Sequence, residues 1–367
     1  MKKKIRVAIL FGGKSAEHEV SLQSAKGIIE AIDKNKYDVV LIGIDKKGRW
    51  YLNDASRFLL HANNPELIKL NKTSDSVTLV PTDKANQLIS LSTHRPAGQV
   101  DVVFPILHGP FGEDGTVQGL LKLANVPFVG AGVLGSAVGM DKDVMKRLLR
   151  DADIPTAVFL VLHQSEVDTT DFERIRKHLG LPFFIKPANL GSSVGIHKIK
   201  DRQQFENAVK DAFQYDNKIL VEEYIQGREI ECSVLGNENP IASVPGEILP
   251  QHEFYSYHAK YIDDHGAILE IPAQLSETIS KKIRNLAIRT FKACCCEGMA
   301  RVDFFLRGDE EVIVNELNTI PGFTKISMYP KLWEATGIPY TELIDRLIQL
   351  ALERFGREKK LKTSFDM

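Results

Sequence analysis

Between residues 301 and 322 the chain sets two short apolar runs around a polar turn and places acids at matching points on both. Val302 to Leu306 and Val312 to Leu317 read as strands, and Arg307 to Glu311 reads as the turn between them. A hairpin centred between Asp309 and Glu310 puts residue 303 opposite residue 316, and the period-2 alternation of a strand puts 316 and 318 on one face. Asp303, Glu316 and Asn318 then converge beside Arg301. Two carboxylates and an amide oxygen form a hard, anionic site suited to Mg2+, which keeps part of its shell for waters and substrate phosphates. An Asp and a Glu on neighbouring strands more commonly mark a solvated sheet face. Here Phe304, Phe305, Val312, Ile313, Val314 and Leu317 surround them with apolar side chains, and carboxylates in such a setting need compensating cations. The segment therefore points to nucleoside triphosphate chemistry.

A chain of 367 residues is long for one core, so two or three domains are expected. Its hydrophobic content of 43% and charged content of 26% are those of a globular protein, and a net charge of -1 gives no electrostatic case for nucleic acid or membrane binding. No apolar stretch has the length of a membrane span, and the strand-like Ile5 to Phe11 is too short for a signal-peptide core, so a cytoplasmic protein is expected. The basic run Arg354 to Lys362 reads as a solvated tail. Cys294, Cys295 and Cys296 are consecutive and cannot supply a C-x-x-C metal geometry. They and Cys232 read as small, partly buried residues.

Strand and helix patterns alternate at the start: Val7 to Phe11, a Gly12-Gly13 turn, a helix from about Ser21 to Ile32, Asp38 to Ile44, Asp101 to Pro105, a helix from about Thr116 to Ala124, then Pro127 to Val129. This is the pattern of a small parallel α/β domain. Residues 66 to 98 are polar and weakly patterned. A helix is expected at Asp141 to Asp151, with Asp141 as N-cap and Val144, Leu148 and Leu149 on its buried face. Phe183 to Lys186 and Ile196 to Ile199 read as strands joined by a glycine/serine flap, Asn189 to Gly195. Strands dominate after Leu220 until a helix near 277 to 296, and a last helix is expected from about Tyr340 to Arg354.

Gly13-Lys14-Ser15 fits a loosened phosphate-loop pattern, but Ile9, Leu10 and Phe11 read as strand and leave too little loop to wrap a phosphate. No G-x-G-x-x-G stands at that turn, which argues equally against a nicotinamide role. The flap is better suited: Gly191, Ser192, Ser193 and Gly195 permit close backbone approach to phosphate oxygens, and Lys186 can place an ammonium on them. Glu222 and Glu229 bracket Tyr224-Ile225, where a ribose and an adenine could be held. His108 opens the turn-rich loop His108 to Gly115 at a strand end, where α/β folds commonly bind ligands. The polar aromatics between Pro250 and Asp264 suit a loop that closes over a site and excludes water.

With Glu17, His108, Lys142, Lys186, the Gly191 to Gly195 flap, Ala259-Lys260-Tyr261, Arg301-x-Asp303 and Glu316-x-Asn318-x-x-Pro-Gly322 present in this order, the chain resembles the D-alanine:D-alanine ligases from about residue 5 to about residue 350. The resemblance implies an α/β chain with the three-domain ATP-grasp fold: an N-terminal parallel α/β, substrate-binding domain at 1–130, a central domain with the flap at 131–221, and a C-terminal domain with the metal site at 222–367. It implies an ATP-dependent enzyme that joins two D-alanines through a D-alanyl phosphate for peptidoglycan synthesis, with two Mg2+ or Mn2+ ions, working as a homodimer. By the same resemblance, Lys142, Lys186, Ser192 and Ser193 face the nucleotide phosphates, and Glu222, Glu223, Ile225 and Glu229 hold adenine and ribose. Asp303, Glu316 and Asn318 bind metal. Glu17 fixes the first D-alanine's ammonium beside His108, and Lys260 and Ser327 take the second D-alanine's carboxylate. Ser192 and Tyr261 join Glu17 in a chain that locks the loops, and Arg301 with the Gly322 N–H holds the oxyanion. Retention of Tyr261 implies an amine acceptor rather than a hydroxy acid, with D-serine less firmly excluded.

Overall fold

The computed structural model describes residues 3–54, 56–62, 64, 67–82, 87–169, 171–192, 194–250, 267–324, 326–362 and 364. The expected closing loop at 250 to 264, with Lys260 and Tyr261, and the flap residue Ser193 lie outside the described residues apart from the backbone of Pro250.

The first sheet holds β1 (Ile5–Gly12), β2 (Tyr37–Ile44), β3 (Trp50–Asn53) and β4 (Val102–Ile106) in the order β3-β2-β1-β4. β1 pairs parallel with both β2 and β4, as the alternating pattern implied. Val7 to Phe11 are fully buried because this central strand is covered on both faces. Helix α1 (His18–Ala31) begins three residues before the expected start. Ser21 is inside it, with its hydroxyl accepting from the Gly12 N–H and donating to the Ile106 carbonyl, so the turn after β1 is tied to the helix and to β4. Residues 66 to 98, read as unpatterned, contain short antiparallel strands, among them Val77–Leu79 and Leu88–Ser90.

Helices α2 (Thr116–Leu123), α3 (Val133–Met140) and α4 (Lys142–Asp151) follow. Asp141 caps α4 as expected, accepting from the N–H groups of Asp143 and Val144. The expected buried face holds at Leu149 and partly at Leu148, but not at Val144. Met145, Lys146, Leu149 and Lys142 point inward, whereas Val144 is exposed. The expected set omits Lys142, Met145 and Lys146, which are buried.

The second sheet is antiparallel, with β5 (Phe159–His163), β6 (Phe183–Pro187), β7 (His197–Ile199) and β8 (Lys218–Glu223) in the order β5-β8-β6-β7. β6 and β7 are the arms of the flap, Phe183 opposite Ile199. Helices α5 (Phe172–Leu179) and α6 (Arg202–Ala212) supply Phe172 and Phe205, which pack with Phe183.

The third sheet holds β9 (Arg228–Gly236), β10 (Ile241–Ala242), β11 (Gly246–Pro250), β12 (Ala267–Glu270), β13 (Gly298–Arg307) and β14 (Glu311–Asn318). Its order is β12-β11-β9-β13-β14, with β10 paired to β9. Helix α7 (Glu277–Ala293) covers one face, burying Ile230, Cys232, Val234, Val302, Phe304, Leu306, Val312, Val314 and Leu317. The alternate residues face the other way, and they include Glu229, Glu231, Arg301 and Asp303.

Asp303 does lie opposite Glu316, as the sequence implied, but for a further reason. Near the turn the pairing is Arg307 to Glu311 and Phe304 to Val314, which centres the hairpin on Asp309 rather than after it. A register shift at Asp303/Phe304 leaves Asn315 as an extra residue on β14, and beyond it the pairs are Asp303 to Glu316 and Arg301 to Asn318. Without that bulge, strict alternation would turn Glu316 and Asn318 into the α7 core.

Helices α8 (Met328–Ala335) and α9 (Tyr340–Glu358) close the chain against the first sheet, where Phe104, Phe323, Tyr329, Trp333 and Leu343 share one core. The last helix runs past Arg354, so the basic run is not a solvated tail at its start. Arg354 is 4% exposed and donates to the carbonyls of Gly130 at 2.5 Å and Phe128 at 2.7 Å. The cysteine trio sits at the end of α7. Cys294 and Cys296 are buried, and burial pushes the Cys294 thiol up to about 12. No helix among the described residues is long and apolar enough to cross a membrane.

Replacing Arg354 with methionine leaves two buried carbonyls without their donor. Unfolding in urea is expected to show a loss of about 2–4 kcal/mol, whereas a solvated tail residue would cost under about 0.5 kcal/mol.

Candidate active site

Two walls of opposite charge meet between the second and third sheets. On the basic wall, Lys142 and Lys146 stand one helical turn apart on α4 and Lys186 ends β6. Their exposures are 7%, 0% and 8%. Glu222 on β8 lies among them at 3% exposure, accepting from Lys186 Nζ at 2.6 Å and facing Lys146 Nζ at 3.0 Å. Burial works against its charge, and the two ammoniums outweigh burial and hold the Glu222 carboxyl below its ordinary value. Lys142 donates to the Leu190 carbonyl at the base of the flap and lies 3.9 Å from Glu316. Burial, with Lys186 nearby, pulls Lys142 below the usual lysine range. Three ammoniums against Glu222 and the more distant Glu316 leave this wall with surplus positive charge.

The acidic wall is the open face of the third sheet. Asp303 and Glu316 are register partners, and Glu231 is the β9 partner of Asp303. Arg301 grips Asp303 with two bonds of 2.7 Å and reaches Glu231 at 2.9 Å. The Asn318 amide donates to Asp303 at 3.0 Å. Asp303, Glu316 and Asn318 are thus brought together, with Arg301 among them. Among the described residues no three His, Cys, Asp or Glu side chains are grouped to hold a metal, and the oxygens these three side chains could offer one are two carboxylates and an amide. Turned to present its oxygen, that amide completes a hard oxygen set of the kind Mg2+ takes.

At the far end, Glu17 caps the space before α1 and accepts a short hydrogen bond from Ser192 of the flap. A Cβ at Gly109 would stand 2.7 Å from the Glu17 carboxylate, so only glycine, here at φ +77°, lets the loop lie against it. His108 bonds the Ile320 carbonyl at 3.0 Å and Ser24 at 3.2 Å, and Glu113 lies 3.5 Å away. The Ser327 hydroxyl accepts from the Thr324 N–H at 2.9 Å and lies against Gly322, where a Cβ would approach it to 2.8 Å. Glu17, His108, Gly322, Ser327 and Arg301 all line one cleft with the acidic wall.

The remaining expected nucleotide residues are grouped at the end of β8. The Glu223 carboxylate accepts from the Val158 N–H at 2.8 Å. Ile225 packs with Ala157 and Ile313, beside the half-exposed Tyr224 ring, and Glu229 lines the cleft. Both Glu222 oxygens face lysines, so direct contact with a base requires one of those pairs to open.

Lys146, Glu113 and Glu231 were not singled out by the sequence. Lys146 carried a signal in its i+4 spacing from Lys142, and Glu231 in its i+2 spacing from Glu229. Glu113 is five residues beyond His108 in the same loop. Burial, with Glu17 nearby, raises the Glu113 carboxyl to about 7, against the lowering effect of His108 and Arg301.

Sequence models of the D-ala D-ala ligase N-terminus and C-terminus match residues 6–131 and 148–349. The chain belongs to the D-ala D-ala ligase family. It is 57% identical over 364 residues to the D-alanine–D-alanine ligase of Oceanobacillus iheyensis, covering 99% of each chain. It is 55% identical over 361 residues to D-alanine–D-alanine ligase A of Salmonella typhimurium, covering 98% of this chain and 99% of that one. Among solved structures, the D-alanine-D-alanine ligase from Coxiella burnetii aligns with a TM-score of 0.84 at 42% identity, over 97% of this chain and 96% of that one. The VanG D-Ala:D-Ser ligase from Enterococcus faecalis aligns with a TM-score of 0.83 at 35% identity, over 95% and 100%. The fold is therefore the ATP-grasp fold of these ligases, and the chain is an enzyme of that family.

Glu113 and His108 give the cleft a pH signature. In the unfolded chain Glu113 ionises near 4.5, while in the folded chain it keeps its proton to about 7, so its burial costs stability increasingly as pH rises between those values. Burial lowers His108, but its contact with Glu113 outweighs burial and raises it, so the two titrate as a pair whose contribution is lost as pH rises. Urea unfolding at pH 5 and pH 8 should therefore show wild type losing about 2 kcal/mol more than E113Q over that interval. Parallel pH dependence in the two proteins would contradict this assignment.

Proposed function

We propose that this cleft joins two D-alanine molecules into D-alanyl-D-alanine, consuming ATP, for peptidoglycan precursor synthesis. The observation that carries the reading is the meeting of the lysine wall with the Asp303–Glu316 pair, Lys142 Nζ and Glu316 being 3.9 Å apart. Surplus positive charge on one side and surplus negative charge on the other suit a polyphosphate bridged by cations. Asp303, Glu316 and Asn318 are the residues that would hold two Mg2+ or Mn2+ ions, which when bound offset the charge of the phosphates.

In this reading Lys142, Lys186 and the flap residues Ser192 and Ser193 take the phosphates, and adenine and ribose lie along Glu222, Glu223, Ile225 and Glu229. Glu17 fixes the ammonium of the first D-alanine, with His108 beside it. A carboxylate oxygen of that D-alanine attacks the γ-phosphorus and ADP leaves, giving D-alanyl phosphate. The neutral amine of the second D-alanine then attacks the acyl carbon. Arg301 and the Gly322 N–H stabilise the oxyanion, phosphate leaves with its bonding pair, and the amine gives up a proton. Lys260 and Ser327 hold the acceptor's carboxylate, and Tyr261 joins Ser192 and Glu17 in locking the loops. Water would hydrolyse the acyl phosphate, which gives the flap its purpose. The units proposed for this work are 1–130, 131–221 and 222–367, in a cytoplasmic homodimer.

Coupled phosphate release separates this reading from its rivals. E316Q is expected to lower the rate by about a hundredfold or more, and K14A, which alters the glycine turn after β1, to leave it near wild type. The reverse would favour a phosphate-loop enzyme. Across D-alanine, L-alanine, D-serine and D-lactate as sole amino-acid or hydroxy-acid additions, release should be fastest with D-alanine. A faster reaction when D-serine accompanies D-alanine, with mixed dipeptide formed, would reassign the acceptor to the chemistry named for the VanG relative.

A further inference from the structure

Lys146 is the most deeply buried charged side chain among the described residues. Its side chain is 0% exposed, and it spans Glu222 Oε2 at 3.0 Å and the Thr156 hydroxyl at 3.0 Å. The Thr156 hydroxyl in turn donates to the Val314 carbonyl at 3.1 Å, where Thr156 and Val314 form a parallel bridge. Val314 immediately precedes the Asn315 bulge that aims Glu316 into the cleft. One ammonium therefore links α4, the carboxylate on β8 and the strand of the acidic wall.

The two lysines on Glu222 are not equivalent. Lys186, 8% exposed, holds Oε1, whereas Lys146, 0% exposed, faces Oε2 and is closed to any ligand. A ligand phosphate that draws Lys186 away would leave a carboxylate buried with half its compensation, and a buried carboxylate without a cation is strongly disfavoured. Lys146 is what remains. We propose that Lys146 is a positioning residue for nucleotide binding, the resident counter-ion that keeps Glu222 anchored while Lys186 is transferred to the phosphates of ATP. The proposal rests on the reading that Lys186 contacts those phosphates.

The test is steady-state kinetics on purified full-length K146M, K186M and wild type, with KM measured separately for ATP and for D-alanine. K146M is expected to raise KM for ATP about tenfold, with KM for the first D-alanine within twofold of wild type, because Glu222 and not the amino-acid end of the cleft loses its anchor. In the E222Q background, where no carboxylate needs holding, K146M should change KM for ATP less than twofold further. If K146M shifts the thermal midpoint but leaves both KM values alone, or raises both equally, Lys146 is only a packing element and the proposal falls. If K186M leaves KM for ATP unchanged, the parent reading of Lys186 fails and the proposal with it. A K186M effect without a K146M effect overturns this proposal alone. Should K146M not yield soluble protein, K146Q, which keeps a hydrogen bond but not the charge, carries the same criteria.

Discussion

The single extra residue Asn315 is the constraint on which the cleft depends. In the third sheet, parity decides everything: one set of alternate residues on β9 and β13 is buried under α7, and the other carries Glu229, Glu231, Arg301 and Asp303. On β14 the same rule, run unbroken from the turn, would send Glu316 toward Val312 and Val314 under the helix. The bulge reverses parity after Val314, so Leu317 returns to the core and Glu316 and Asn318 reach the site. Placing those acids under α7 would bury carboxylate and amide among aliphatic side chains with nothing to satisfy them. The local irregularity therefore removes a conflict that regular geometry would create.

The opposing wall solves a different electrostatic problem. Three lysines cannot be packed at the junction of α4, β6 and β8 without compensation, and Glu222 provides it by accepting from Lys186 and forming an ion pair with Lys146. One carboxylate does not neutralise three ammoniums, and Glu316 is too distant at 3.9 Å to make a close pair with Lys142. The incomplete balance is a preorganised positive field next to a preorganised negative one. Such fields hold charge of each sign ready for a ligand that enters between them, which is the arrangement that favours phosphoryl transfer.

Sequence patterning revealed the sheets and the acidic trio because both follow from short-range periodicity. The parallel β1-β2-β4 core is a run of apolar residues long enough to declare itself, and Asp303 and Glu316 are separated by a turn of ordinary length. Three things were hidden. The bulge at Asn315 has no compositional mark, and the correct pairing emerged from a turn centre that was half a residue off. The α4 face was only partly legible because amphipathic patterning assigns lysine to water, and here Lys142 and Lys146 are buried by partners that arrive from β8 and β14, remote in sequence. The start of the basic run was misread for the same reason. Arg354 is buried by carbonyls at residues 128 and 130, which no local window contains. Buried charge is a tertiary fact, and its partners must be known before it can be recognised.

The flap ties the two ends of the cleft into one device. Lys142 donates to the Leu190 carbonyl at its base, Asn189 is held by Asp216, and Ser192 reaches across to Glu17 in the first domain. Ser192 does this with φ +53°, a left-handed setting that a residue with a Cβ adopts at a cost. The hydrogen bond to Glu17 offsets that cost, so the setting of the flap is coupled to what Glu17 contacts. An ammonium beside Glu17 neutralises the carboxylate without removing its lone pairs, and the Ser192 bond persists. A ligand lacking the ammonium would leave Glu17 and the raised Glu113 as neighbouring acids offset by His108 and Arg301 alone. On the proposed reading of Glu17, the cleft would therefore stay shut over an amino acid more readily than over a simple carboxylate.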